Sequence, residues 1–259
     1  MAQKPADTEH TSFPKPDGSS ESAVKPVRRM NQVLKRVDRA ISSRLLRFTD
    51  GFIDRRICGQ SLVKPVPSMF RDDRKGIGGT SSSPTHYAFL KRIFSHIELK
   101  PSDAVLDVGC GKGRVLAFLL KEKCPGRLYG IEYNPKVAEI AKNWSERYPQ
   151  VQILIGDAFE LNCNDYTVLT LARSFLPVTY ELFVQKLEET LTHPITLVSW
   201  YDQGSVRWMK KRPGWRMEYH ELVKRIRGLR IASSPQSFTV WTYDPEARKA
   251  QEAKAEAGA

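Results

Sequence analysis

The chain has 259 residues, 41% of them apolar and 27% charged, with 16 glycines and 16 prolines. That balance excludes collagen-like, fully disordered and disulfide-scaffold classes and leaves enough apolar mass for a sizeable core. Lys plus Arg outnumber Asp plus Glu by 41 to 29, a net charge of +12, and the excess is concentrated. Lys25 to Lys75 holds fourteen basic and five acidic residues, and Val206 to Ser233 holds nine basic and two acidic. Such fields attract polyanions and also keep proteins dispersed in water. No apolar run approaches the ~18 residues of a spanning helix, and the first twenty residues hold no signal-like stretch. The expectation is a cytoplasmic protein with no transmembrane segment. Cys58, Cys110, Cys124 and Cys163 form no C-x-x-C pair, so reduced thiols and no metal site are expected.

Residues 1–27 are rich in Pro, Ser, Lys and Asp without hydrophobic periodicity and read as a disordered arm. Residues 28–83 read as a basic amphipathic helix and a loop. Met30, Val33, Leu34, Val37, Ile41, Leu45, Phe48 and Phe52 recur every three or four positions, with Arg36, Arg39, Arg44 and Arg47 off that stripe. The stripe is expected to pack on the main domain, with Gly51 weakening or ending the helix. The alternative is that residues 28–75 hold a polyanion, either RNA or an anionic membrane surface. Pro65, Pro67, Gly76, Gly78, Gly79 and Pro84 then punctuate a loop.

From residue 84 to 243 the pattern becomes regular. A helix is predicted over Thr85–Ile97, followed by short apolar runs at Ala104–Val108, Leu128–Tyr133, Val151–Ile155, Val168–Ala172 and Ile195–Trp200. The runs suit strands buried on both faces of a parallel sheet, and the stretches Gly113–Lys123, Pro135–Tyr148 and Val178–Thr192 have helical length and period. A doubly wound, mostly parallel α/β sheet follows. Trp215–Ile226, for which a helix is the rival reading, and Ser237–Tyr243 supply two further strands, and residues 244–259 carry no core-forming stripe and read as a frayed helix or a disordered tail.

The first strand runs into Asp107-Val108-Gly109-Cys110-Gly111-Lys112-Gly113-Arg114 and then a helix start. Glycines allow a sharp turn and a close ligand approach, and the helix presents its positive dipole end. A dinucleotide-binding G-x-G-x-x-G would need glycine at position 114, where this chain has Arg114, and the phosphate loop G-x-x-x-x-G-K-[ST] is absent. An acid two residues before the first glycine repels phosphate but suits an ammonium or a sulfonium. Glu132, at the end of the second strand, is placed to accept from ribose hydroxyls, and Asp157, after the third, from an adenine amino group.

Val105-Leu106-Asp107-Val108-Gly109-Cys110-Gly111-Lys112-Gly113, Gly130-Ile131-Glu132-Tyr133-Asn134-Pro135 and Ile155-Gly156-Asp157-Ala158 resemble the first three motifs of class I S-adenosylmethionine-dependent methyltransferases. The resemblance covers about residues 84–243. It implies a seven-stranded, Rossmann-like sheet with the last strand antiparallel, and S-adenosylmethionine as cofactor. It also implies that Asp107 and the Gly109, Cys110 and Gly111 backbone hold the methionine part, that Glu132 takes the ribose, that Tyr133 lies against adenine, and that Asp157 with the Ala158 N–H reads the adenine edge. After the fourth strand the chain has Leu171-Ala172-Arg173-Ser174-Phe175-Leu176-Pro177, not the [DNS]-P-P-[YF] of amino-group methylases, so planar exocyclic amines lose support as acceptors. In similar enzymes the segment corresponding to Gly79–Tyr87 folds over the cofactor as a lid. The family has no obligatory catalytic residue; His86, Tyr87, Arg173, Tyr201 and His220 are the polar candidates here. An S-adenosylmethionine-dependent methyltransferase acting on a small molecule or protein is the expected function. The alternatives are an RNA methyltransferase and a non-catalytic adenosyl-ligand-binding or scaffold protein.

Overall fold

The computed structural model describes residues 20–72, 74–75, 77–201 and 204–257, with side chains described from residue 33 onward. The chain divides into two units between Ala40 and Ile41. In the first, the described backbone is the opening part of helix α1 (Ser20–Cys58); residues 1–19 of the expected arm lie outside the described residues, and residues 20–27 belong to this helix rather than to disorder.

The second unit is built on seven strands: β1 (Ala104–Val108), β2 (Arg127–Glu132), β3 (Val151–Ile155), β4 (Val168–Ala172), β5 (Ile195–Trp200), β6 (Trp215–Val223) and β7 (Gln236–Tyr243). Their order is β3-β2-β1-β4-β5-β7-β6, parallel from β3 to β5, with β7 antiparallel to both of its neighbours. All five residues of β1 are buried, as its unbroken apolar run requires of a strand covered on both faces. Alternate residues feed two cores. Val105, Leu128, Val168 and Val198 pack with helices α2 (Tyr87–Phe94), α3 (Arg114–Lys121) and α4 (Pro135–Ser145), whereas Leu106, Leu169, Leu171 and Leu197 pack with α5 (Pro177–Thr190). Because order reverses between β1 and β4, the crossovers leave on opposite sides and open a crevice at the carboxyl ends of these strands.

Beyond β5, the short helix α6 (Val206–Met209) precedes β6. The run expected to continue to Ile226 stops at Val223, and Arg225–Ile226 pairs instead with Leu229–Arg230. Gly228, at a φ of +79°, sits between the two segments and supplies the left-handed conformation. The tail, expected to be a frayed helix or disorder, forms helix α7 (Pro245–Ala257). Asp244 caps its first turn, and Arg248 binds the Glu188 carbonyl. Among the described residues no helix is long and apolar enough to cross a membrane.

Helix α1 corrects two expectations. It continues through Gly51 to Cys58, and the stripe Ile41, Leu45, Phe48 and Phe52 is exposed, while Ser42, Leu46, Asp50, Asp54 and Cys58 face inward. The reason is Arg114, the first residue of α3, buried beneath the helix. Its Nε and Nη2 donate to Asp54 at 3.1 and 2.5 Å and its Nη1 to Asp50 at 3.2 Å. Asp54 also accepts from the Leu62 N–H and the Tyr87 hydroxyl, and Asp50 accepts from the Tyr87 N–H and lies 2.6 Å from His86 Nδ1. Interior glycine disfavours a helix by about 1 kcal/mol, a small penalty beside carboxylates anchored on either side of it.

Removing one member of a buried ion cluster leaves an uncompensated charge, typically at a cost of ~3 to 5 kcal/mol. Arg114→Met is expected to lower the melting temperature by roughly 10 °C, at ~2 to 4 °C per kcal/mol for a chain of this size. Adding Asp50→Leu and Asp54→Leu should restore much of the loss. A shift of under about 2 °C for Arg114→Met, measured by calorimetry, would show that the cluster does not pin the helix.

Candidate functional site

The crevice contains a cavity of about 410 Å³. All eight residues read from the sequence as cofactor-binding, namely Asp107, Gly109, Cys110, Gly111, Glu132, Tyr133, Asp157 and Ala158, line it. β1 delivers Asp107 at its penultimate position. The chain then reverses through Gly109 and Gly111, whose φ values of +68° and +58° are left-handed. Side chains would not fit at either place: a Cβ on Gly109 would lie 2.6 Å from Ser174 Cβ, and one on Gly111 would lie 2.5 Å from Ser82 Oγ. The cradle is thus shaped both by backbone conformation and by what closes over it.

Three acids converge here in different environments. Asp107 is buried and accepts from Thr170 Oγ1 at 2.7 Å; burial, more than the nearby Glu132, raises its pKa to about 7. Glu132 uses one carboxylate oxygen for the Gly111 N–H and the other for the Asn134 N–H, both at 2.9 Å. Burial raises its pKa, opposed by those backbone donors and that of Tyr133. Asp157 accepts from the Phe159 N–H in a local turn. Tyr133 is exposed at the mouth, and Ala158 is buried. Burial and the charges of Asp107 and Glu132 push the Cys110 thiol up, so it stays protonated and acts as a small packing group rather than a nucleophile.

Part of the segment expected to form a lid lies along the cavity. Thr80 to Thr85 line it. The Thr80 N–H bonds to the Ser174 carbonyl, the Gly79 N–H to that of Phe70, and Ser82 exchanges two backbone bonds with Val66. Lys112, within the glycine turn, donates to the carbonyls of Leu62 and Lys64, which ties the turn to the chain leaving α1. Burial and the neighbouring Arg114 lower its pKa to about 8.

None of the five polar candidates lines the cavity. His86 and Tyr87 are bound to Asp50 and Asp54, and Tyr201 packs on Phe89 with its hydroxyl raised to about 12 by burial. His220 bonds to Thr239 on the neighbouring strand, and Arg173 sits in the left-handed region after β4. The sequence reading missed the other half of the cavity, lined by Met69, Phe70, Phe159, Phe175 and Leu182. Phe159 and Phe175 follow strand ends, which was the available signal, but neither belongs to a motif.

A family model for a methyltransferase domain matches residues 105–192. Ribosomal RNA small subunit methyltransferase A of Geobacter metallireducens is 30% identical over 92 residues, 36% of this chain and 32% of that protein. Ribosomal protein L11 methyltransferase of Burkholderia mallei is 39% identical over 69 residues, 27% of this chain and 22% of that protein. This chain therefore spans a third or less of these curated relatives. An RNA methyltransferase structure from Salinibacter ruber, in complex with S-adenosyl-L-homocysteine, matches 62% of this chain and 94% of its own at 25% identity and a TM-score of 0.48. The methyltransferase-domain match lies over β1 to α5 and includes the glycine turn and the strand-end acids Glu132 and Asp157.

Proposed function

We propose that this chain transfers the methyl group of S-adenosylmethionine to an acceptor that is not a polyanion, either a small molecule or a protein side chain. The carrying observation is the convergence of a glycine turn and three strand-end acids on one wall of a cavity whose other wall is apolar and aromatic. The residues fit the cofactor: the turn has no room for side chains, and the acids suit an ammonium, a ribose diol and an adenine amine. S-adenosylmethionine supplies an electrophilic methyl carbon on a positive sulfur. Asp107 and the turn would hold the methionine end, Glu132 the ribose, and Tyr133, Asp157 and the Ala158 N–H the base. Phe159, Phe175 and the Thr80–Thr85 segment would exclude water and align the acceptor, which is most of what an in-line displacement requires of a protein.

The charge inside the cavity supports the acceptor class. The charged side chains on its described lining are Asp107, Lys112, Arg114, Glu132 and Asp157. Lys112 is engaged by two carbonyls and Arg114 by two aspartates, so the lining directs no free cation at a phosphate backbone. The relatives named for ribosomal RNA and for a ribosomal protein span both acceptor classes and do not choose between them. The basic residues over 28–75 suit an anionic partner bound outside the cavity.

S-adenosylmethionine at 100 times its Kd should stabilise the protein by ~2.7 kcal/mol, and NAD should leave it unchanged. The opposite pattern in a thermal-shift assay would remove the reading. Glu132→Ala should weaken cofactor binding by ~1.5 to 3 kcal/mol, since it deletes charge-assisted hydrogen bonds; normal binding in calorimetry would exclude Glu132 from the site.

Asp107 carries a pH signature. Its folded pKa of about 7 lies above the ordinary 3.8, so its stability contribution is present below pH ~4 and is lost as pH rises toward 7. Asp107→Asn should therefore make the cofactor-free protein more stable than wild type at pH 7.5. Wild-type cofactor affinity should rise between pH 5.5 and 7.5, as the carboxylate ionises, and should be flatter in the variant. Identical pH profiles would exclude Asp107 as the group that faces the ammonium.

With radiolabelled cofactor and cell extract, label should survive nuclease. Label that protease leaves but nuclease removes would establish RNA as the acceptor, and no transfer to any fraction would favour a non-catalytic adenosyl-binding protein.

A further inference from the structure

Over residues 41–58, helix α1 turns its two faces against the usual rule. The inward face carries Ser42, Leu46, Asp50, Asp54 and Cys58. The outward face carries Ile41, Leu45, Phe48 and Phe52, with 53, 47, 76 and 62% of their surface in water. At 3.6 residues per turn these four side chains fall within about 60° of one another, opposite the buried set. They form a continuous apolar ridge, a feature that marks an interaction surface.

Within residues 41–58 the exposed charges around the ridge have one sign. Arg44 and Arg55 flank it on one side and Arg56 on the other, all exposed, with Arg47 further round. The span's two carboxylates, Asp50 and Asp54, point inward and are engaged by Arg114. An apolar ridge bordered by cations, with its acids withdrawn, fits an interface that is apolar in depth and anionic at its surface.

We propose that residues 41–58 of helix α1 lie along an anionic lipid surface. Ile41, Leu45, Phe48 and Phe52 enter the acyl boundary, and Arg44, Arg55 and Arg56 meet the headgroup phosphates. RNA would use the arginines but leave the ridge in water. A second copy docked ridge to ridge would bring six flanking arginines together with no carboxylate between them. The proposal goes beyond methyl transfer and stands independently of it, because its readout needs no cofactor.

The test is co-sedimentation of the full chain with vesicles of phosphatidylcholine alone or with about 30% phosphatidylglycerol or phosphatidylserine. Binding should rise at least about tenfold with either anionic lipid. Phe48→Ser combined with Phe52→Ser should reduce it by about tenfold or more, with melting temperature and cofactor-induced stabilisation unchanged. Arg44→Gln, Arg55→Gln and Arg56→Gln together should reduce it and weaken its salt dependence.

Three results would overturn the proposal. One is no binding to anionic vesicles at low salt. The second is binding that the serine variant retains in full, which would mark a general polyanion surface that RNA also fills. The third is self-association, seen by light scattering, that the serine variant abolishes while vesicle binding stays absent.

Discussion

One buried guanidinium organises the second unit. Arg114 stands at the first position of α3, immediately after the glycine turn, and is enclosed by the carboxylates of Asp50 and Asp54 from α1. Two carboxylates against one guanidinium would be an unfavourable burial if nothing else met them. Here the remaining acceptor capacity is filled by the Leu62 and Tyr87 N–H groups, the Tyr87 hydroxyl and His86. Each of these donors belongs to a stretch that must be positioned before a cavity exists: the chain leaving α1, the segment before α2, and α2 itself. Residues 42–58 are therefore part of the domain's framework, although no strand of the sheet touches them in sequence.

The same interaction shapes the ligand crevice indirectly. Arg114 Nη1 also lies 3.5 Å from the carbonyls of Pro84 and Thr85, at the end of the stretch that roofs the cavity. Two residues earlier, Lys112 reaches the carbonyls of Leu62 and Lys64. The glycine turn is thus tied at two adjacent cations to the chain that crosses over it. An open strand-turn-helix cradle becomes a covered one, with an acidic wall made by strand ends and an apolar wall made by loops. Such a division suits a reaction in which a cation must be held and water kept away from the carbon being transferred.

The sequence disclosed the sheet and the acidic wall because both are local. Five apolar runs predict strands within a residue or so of their observed ends, since a strand covered on both faces is apolar throughout. The turn, Glu132 and Asp157 follow those strands at short, motif-like distances. What escaped was nonlocal. Hydrophobic periodicity assigns Ile41, Leu45, Phe48 and Phe52 to the inside of α1, and that inference assumes that charges face water. Asp50 and Asp54 break the assumption because their partner lies 60 or more residues downstream. His86 and Tyr87 have side chains suited to catalysis, yet their partners are those same aspartates. The apolar wall has no motif of its own, being assembled from Met69 and Phe70 in one loop, Phe159 and Phe175 after two strands, and Leu182 on α5.

The net charge of +12 then divides by location rather than by amount. Inside the crevice the acids are Asp107, Glu132 and Asp157, and the two cations there are engaged, Lys112 by backbone carbonyls and Arg114 by carboxylates. Outside, over residues 41–58, the cations remain and the acids have turned inward. A single inward rotation of α1 produces both results: it delivers Asp50 and Asp54 to Arg114, which completes the cavity's frame, and it leaves the apolar ridge and its arginines facing out. The acids that line the crevice and the arginines exposed on residues 41–58 are therefore separate sets of charges, and Arg114 links the elements that carry them.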